Sequence, residues 1–275
     1  MVIWSASWTS GKLIAGSVEP QITLFWRFLL SAIALAPLVP LTGGRFRVTL
    51  TQALWAALGA AIITVYTFLF FVGLKTGLAG AAGVLVTSMN PIFTYFLTRV
   101  LFRHQLRVRD ALGLALGVAG GAILIEVWHL SYEQMLLSGN LLFLVASLVY
   151  ALVTLTTNAA TRVTSIVVYS FYVNLFGAAI CLPVIGADFS RTPAANDYNY
   201  WFNVFYLGVI SNAFATTVYF FAVKKLGSAR ASSYIFIVPA TALLIAALYL
   251  HEPVKATTLI GGLIALLAVT ILRRA

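Results

Sequence analysis

Long stretches of this chain carry no charge, and nothing else in the sequence restricts its fold so strongly. The uncharged windows include 28–44, 48–74, 76–98, 134–161, 163–187, 198–223, 231–250 and 256–272. An α-helix needs roughly 20 mainly apolar residues to cross the hydrocarbon of a bilayer. Apolar residues make up 61% of the chain and charged residues 9%, against about 45–50% and 25% in a soluble domain. So few charges cannot coat a soluble globule, which excludes a cytosolic enzyme and a disordered chain. A disulfide-stapled domain is excluded by the lone Cys181. The runs are continuous and do not alternate, so they predict helices rather than barrel strands.

The shorter windows become spans once basic residues are admitted to them. The fifth extends over Leu106–Trp128 with Arg107 and Arg109 snorkelling to the interface. The first two run over about 2–17 and 21–41, with Lys12 and Arg27 inside. The total is ten helices, with both termini on one side. Trp4 and Trp8 lie in the first span and no basic segment precedes it, so no leader peptide is expected.

Sorting the charges by this count sets the orientation. One side collects eleven basic residues, Arg45, Arg47, Arg103, Arg107, Arg109, Arg162, Lys224, Lys225, Arg230, Arg273 and Arg274. The other holds three, Lys75, Arg191 and Lys255, together with Glu19, Glu126, Glu133, Asp188, Asp197 and Glu252. The positive-inside rule then predicts a multi-pass protein of the cytoplasmic membrane with both termini in the cytoplasm. The formal net charge of +10 anchors that face and marks no nucleic-acid partner. The partners expected are the lipid bilayer and a small-molecule substrate, with the chain a monomer or homodimer.

The two halves repeat. Pro91 and Pro239 stand 148 residues apart, and so do Gly113 and Gly261. Helices 1–5 (residues 1–130) therefore correspond to helices 6–10 (residues 131–275). An odd number of helices per half turns the second half upside down. Inverted repeats are a frequent plan of secondary transporters, whose sites lie near the midplane between halves.

Several segments resemble one family. Trp4-Ser-Ala-Ser-Trp-Thr-Ser-Gly-Lys12-Leu and Phe25-Trp-Arg27-Phe28-Leu are similar to the first- and second-helix patterns of EamA-type proteins of the drug/metabolite transporter superfamily. Val86-Thr-Ser-Met-Asn-Pro91-Ile-Phe-Thr resembles the fourth, and Ala111 to Gly121 the fifth. Phe236-Ile-Val-Pro239 and the stretch after His251-Glu252-Pro253 match in the second half. The resemblance implies a ten-helix basket of two inverted five-helix repeats that exports amino acids or other small metabolites, or carries nucleotide sugars or sugar phosphates. Where the family often has Gly-Glu after its fourth helix, this chain has Arg103-His104, while the second half keeps Glu252.

Candidate site residues fall on polar and aromatic stripes at helical spacing. These are Trp8 on the first helix, Tyr66 and Phe70 on the third, and Thr87, Asn90 and Thr94 on the fourth. The sixth offers Ser147, Tyr150 and Thr154, the eighth Asn212, Thr216 and Tyr219, and the ninth Ser233 and Phe236. Helices 1, 3, 4, 6, 8 and 9 are expected to line a cavity. The seventh-helix stripe of Ser170, Asn174 and Gly177 reads as packing. Pro91 and Pro239 each remove a helix hydrogen bond in mid-span and are candidate hinges. Lys12 and Arg27, both read into the outer third, are candidates for gating or for charge pairing with Glu19 or Glu252, the alternative being a substrate carboxylate. Gly113, Gly117 and Gly121 form a close-packing pattern, echoed by Gly261 and Ala265.

No Asp or Glu falls inside a span, and His104, His129 and His251 stand at span ends. A proton relay built on a buried carboxylate is therefore disfavoured. No metal-ligand cluster, acid–base pair or nucleophile elbow converges at depth, so neither enzyme activity nor any metal or cofactor is expected. The sequence predicts a secondary transporter of small metabolites, with neutral or aromatic amino acids favoured by the family resemblance. A sugar-phosphate or nucleotide-sugar carrier, and a membrane scaffold or intramembrane enzyme, are the alternatives.

Overall fold

The computed structural model describes residues 1–101, 108–126, 128, 139–219 and 237–273. It is all-helical, with no strand among these residues. The first span is α1 (Val2–Ile14). The second is α2 (Pro20–Leu35), which starts on a proline, followed by a single turn, α3 (Leu38–Leu41). Pro37 and Pro40 break what the sequence predicts as one helix to residue 41. Then come α4 (Leu50–Thr76), α5 (Ala79–Leu101) and α6 (Val108–Leu124). The second half holds α7 (Gly139–Ala160), α8 (Ile166–Ile185), α9 (Tyr198–Phe205), α10 (Ile237–Leu250) and α11 (Ala256–Arg273). α9 runs straight into a π-helix over Tyr206–Ala215. Four helices, α4, α5, α7 and α8, are long and apolar enough to cross a bilayer by length and composition, and α2, α10 and α11 are shorter apolar helices.

Local signals start and stop these elements. Thr49 and Gln52 form a reciprocal capping box at α4, and the Ser165 and Asp197 side chains accept the Val168 and Tyr200 N–H groups to cap α8 and α9. Charged contacts then report the direction of each helix. At one end Glu19 meets Lys75 (3.9 Å), Glu126 meets Lys255 (2.9 Å), and Lys12 reaches the last turn of α4. At the other end Gln52 donates to the Val163 carbonyl and Arg99 lies 3.4 Å from Asp110. Successive spans therefore alternate in direction. The first end is acidic and the second basic, as the loop charges predict.

The helix contacts are symmetric under exchange of the halves. α2 packs on α8, α5 on α10 and α6 on α11, and each of these pairs maps onto itself when helices 1–5 are exchanged for 6–10. α4 on α7 maps onto α9 on α1, α5 on α7 onto α10 on α1, and α4 on α8 onto α9 on α2. Small residues allow the closest approaches, because lipid offers helices no hydrophobic drive to associate and packing must supply it. A Cβ on Gly120 would stand 3.0 Å from the Gly261 carbonyl oxygen and from the Ala265 nitrogen. Gly117 and Gly121 instead meet Ile92 and Met89 of α5, and Gly113 meets Leu272. The glycine stripe is thus filled from within the chain.

Candidate functional site

A cavity of about 490 Å³ lies between the two halves. Trp4, Ser7 and Trp8 of α1, Gly59, Tyr66 and Phe70 of α4, and Thr87, Asn90 and Pro91 of α5 line it from the first half. Tyr150, Thr154 and Asn158 of α7, Ser170 and Asn174 of α8, and Ser211, Asn212, Thr216 and Tyr219 of the eighth span line it from the second. Its wall extends to Ile166, the first residue of α8, and to Asn158, two residues from the end of α7. The cavity therefore reaches toward the basic end.

Aromatic rings make much of the wall. Tyr66 and Tyr150 lie 4.7 Å apart across the halves, and Trp4 and Tyr219 are 5.3 Å apart. The Trp8 ring lies tilted against Phe70 at 5.0 Å and stands edge-on to Phe143 at 6.4 Å. Hydroxyls and amides are tied between helices. The Asn212 amide donates to Ser31 Oγ (3.0 Å) and Asn174 Oδ1 (2.8 Å), and Ser7 and Ser211 share a 2.6 Å bond. The Trp4 indole donates to the Ser211 carbonyl at 3.1 Å. Pro91 has no N–H for the Thr87 carbonyl, and both residues are on the wall.

At the acidic end the cavity gives way to packed and clasped chain. The Lys12 ammonium donates to the carbonyls of Leu74 (2.6 Å) and Gly77 (2.9 Å) at the C-terminus of α4. The Glu252 carboxylate accepts the N–H groups of Ala79 (2.8 Å) and Gly80 (2.9 Å) at the N-terminus of α5. The α4–α5 turn is thus held by a cation on the negative end of one helix dipole and an anion on the positive end of the next. His251 takes a left-handed conformation (φ 54°) immediately before Glu252, where the chain leaves α10. Gly139 is pressed against this turn, where a Cβ would lie 2.5 Å from the Gly73 carbonyl oxygen.

The sequence expectations divide on this geometry. Trp8, Tyr66, Phe70, Thr87, Asn90, Tyr150, Thr154, Asn212, Thr216 and Tyr219 share one cavity. Thr94 does not reach it, and its hydroxyl is buried one turn further along α5. Ser147 lies where α7 crosses α5 and turns its hydroxyl to the Val86 carbonyl (3.4 Å). Ser233 and Phe236 lie outside the described residues. Pro239 is buried while its neighbour Val238 lines the cavity. The seventh-helix stripe, expected to pack, puts Ser170 and Asn174 on the wall, and the second helix contributes Arg27 and Phe28. Polar spacing cannot separate a wall from a glued interface, because Ser and Asn serve both. The pairing of Lys12 or Arg27 with Glu19 or Glu252 is not made, because backbone groups of the α4–α5 turn occupy Lys12 and Glu252 and Lys75 meets Glu19. Arg27 stands at the middle of α2, on the cavity wall, rather than in the outer third. The π-helix carries no signal in the sequence, since no local pattern distinguishes it from an ordinary apolar helix.

The profile of the EamA-like transporter family matches the chain twice, over residues 1–125 and 137–274. The chain belongs to the EamA-like transporter family. It is a membrane transporter built from two repeats. It is 23% identical over 271 residues to the uncharacterized transporter YoaV of Bacillus subtilis, covering 96% of this chain and 90% of that one. It is 25% identical over 224 residues to a probable terminal-alkyne amino-acid exporter of Streptantibioticus cattleyicolor, covering 80% of this chain and 72% of the relative. A solved crystal structure shares the fold with a TM-score of 0.66 at 19% identity, covering 98% of this chain and 92% of that chain.

Proposed function

We propose that this transporter exports small amino-acid-like metabolites, neutral or aromatic amino acids foremost, from the cytoplasm by alternating access. The cavity between the halves carries the proposal. It is about 490 Å³, within the roughly 300–1,000 Å³ of small-molecule sites. Its wall mixes aromatic faces with hydroxyls and amides, a surface suited to a solute with an apolar body and a polar head. The loop charges assign the basic end to the cytoplasm, so this conformation faces inward in the cytoplasmic membrane. Outward opening then requires release of the clasp at the acidic end, with bending near Pro91 and Pro239. The resemblance to a probable amino-acid exporter favours the substrate class.

The test is efflux from proteoliposomes loaded with labelled phenylalanine, leucine or alanine and, in a separate arm, sugar phosphates. Protein-dependent efflux of at least one amino acid, exceeding that of the sugar phosphates, is expected. Equal leakage with and without protein for every amino acid refutes the reading.

A further inference from the structure

Among the described residues of the cavity wall, Arg27 is the single charged one. Its Nε and Nη1 are buried without a hydrogen-bond partner, and the Asn90 amide nitrogen on the same wall is likewise unpartnered. The guanidinium lies 5.8 Å over the Phe70 ring, which holds one face of it and leaves its N–H edge without an acceptor. An isolated charge out of water is strongly unfavourable unless an anion or a set of acceptors meets it. Lys12 shows what a structural cation does in this fold, since two backbone carbonyls receive it. Arg27 has no such acceptors among the described residues.

Nor does a carboxylate pair with Arg27 among the described residues. Glu19 meets Lys75, Asp110 is bonded to Tyr95 and Arg99, and Glu126 holds Lys255 and Thr257. Asp197 caps α9 and Glu252 caps α5. Asp188 belongs to the turn Gly186–Arg191 beyond α8, and Glu133 to the segment before α7 that lies outside the described residues. Among its described residues the wall therefore carries one positive charge and no acid.

We infer that Arg27 is the receptor for the carboxylate of the transported solute, with the Asn90 amide as a second donor, and that the site selects small monocarboxylates with an aromatic or branched apolar body. This rests on the reading of the cavity as the transport site. One guanidinium balances the charge of one carboxylate, whereas a phosphate monoester carries about −1.5 to −2 at neutral pH and would be left partly unmatched. The Tyr66, Tyr150 and Phe70 rings receive the apolar body. With no acid among the described wall residues, the α-ammonium of an amino acid finds only neutral acceptors there, namely ring faces and hydroxyl, amide and backbone carbonyl oxygens. The carboxylate is thus required for binding and the ammonium is not.

Four ligands test this on the purified protein, read by the fluorescence of Trp4 and Trp8 and by competition with labelled phenylalanine. They are phenylalanine, 3-phenylpropionate, phenylalaninamide and phenyl phosphate. A charge-assisted hydrogen bond in such a site corresponds to about 10–100-fold in affinity. Phenylalanine and 3-phenylpropionate should bind within a few-fold of each other, and phenylalaninamide at least tenfold more weakly. Arg27→Gln should remove that discrimination and Arg27→Lys keep part of it. The wild-type ligand series decides the matter even if Arg27→Gln does not fold. The inference is overturned if the amide binds as well as the acids, if phenyl phosphate binds best, if neither carboxylate gives a saturable signal, or if a folded Arg27→Gln protein still prefers the acids. Efflux separates the two levels. Carboxylate-selective binding without efflux defeats the transport reading alone, and efflux indifferent to the carboxylate defeats this inference alone.

Discussion

Replacing Glu252 by Gln should tilt the transporter toward its outward-open state. The carboxylate accepts two backbone N–H groups, from Ala79 at 2.8 Å and Gly80 at 2.9 Å, in the first turn of α5. A hydrogen bond to a charged group contributes about 1.5–3 kcal/mol and a neutral one about 0.5–1.5. An anion at a helix N-terminus adds about 0.3–1 kcal/mol. The Gln carbonyl retains one neutral bond, while the charge and the second acceptor are lost. Because Glu252 is only half-buried, the loss is taken near the low end, about 2 kcal/mol. At about 1.4 kcal/mol per tenfold, the closed-to-open ratio at the acidic end falls by about thirtyfold. A Cys181→Ala protein carrying Val153→Cys, on the cavity wall toward the basic end, reports this. In right-side-out vesicles a membrane-impermeant maleimide should label that cysteine up to about thirty times faster after Glu252→Gln. Labelling from the cytoplasmic side should hardly change. An external rate within twofold of the parent, in a protein still labelled from inside, refutes the clasp.

Three further outcomes follow from the packing. Gly120→Val places a Cβ against the backbone of Gly261 and Ala265 and should cost about 1–3 kcal/mol; the melting temperature in detergent should fall clearly, while Gly16→Ala, with nothing within 4 Å of its Cβ, should leave it unchanged. Asp110→Asn removes the charge from a fully buried carboxylate bonded to Tyr95 (2.6 Å) and Arg99 and should destabilise by about 3 kcal/mol, read as lost monodisperse protein on heating. Tyr150→Ala breaks the ring contact with Tyr66 and should raise the half-saturating concentration of an aromatic solute about fivefold, for about 1 kcal/mol, with expression held; an unchanged value removes Tyr150 from the site.

Much of the architecture was legible because lipid leaves a chain few choices. Every backbone group in hydrocarbon needs an internal partner, so the uncharged runs had to be helices. The few charges then had to mark the ends, and Glu19, Lys75, Glu126 and Lys255 do meet at one end. The fourth helix was readable for the same reason, since a proline at 91 beside Thr87 and Asn90 leaves a carbonyl that belongs near polar surface. The two intramembrane cations were not separable in sequence. Both Lys12 and Arg27 sit in apolar surroundings, and what divides them is whether a helix end is within reach. The last carbonyls of α4 meet Lys12 and none meets Arg27. That is a fact of tertiary geometry with no local signature.

The eighth span shows where the two halves, alike in plan, differ in local structure. Shifted back by about 148 residues, the π-helical stretch Tyr206–Ala215 falls inside α4, which is regular throughout. Such a stretch trades good hydrogen-bond geometry for a wider turn, and segments of this kind are frequent at functional sites. Here Ser211 and Asn212 of the stretch and Thr216 just after it lie on the cavity wall. The stretch is then knitted to three neighbours, by Trp4 and Ser7 of α1, Ser31 of α2 and Asn174 of α8. α4, which holds the matching stretch, presents Gly59, Ile63, Tyr66 and Phe70 to the cavity at ordinary helical steps of three and four. The first repeat thus supplies most of the ring faces and, with Arg27, the charge, while the second adds the Tyr150 and Tyr219 rings and most of the amide and hydroxyl groups. Under the proposed function, a solute between them would meet mostly rings and the guanidinium on one side and mostly amides and hydroxyls on the other.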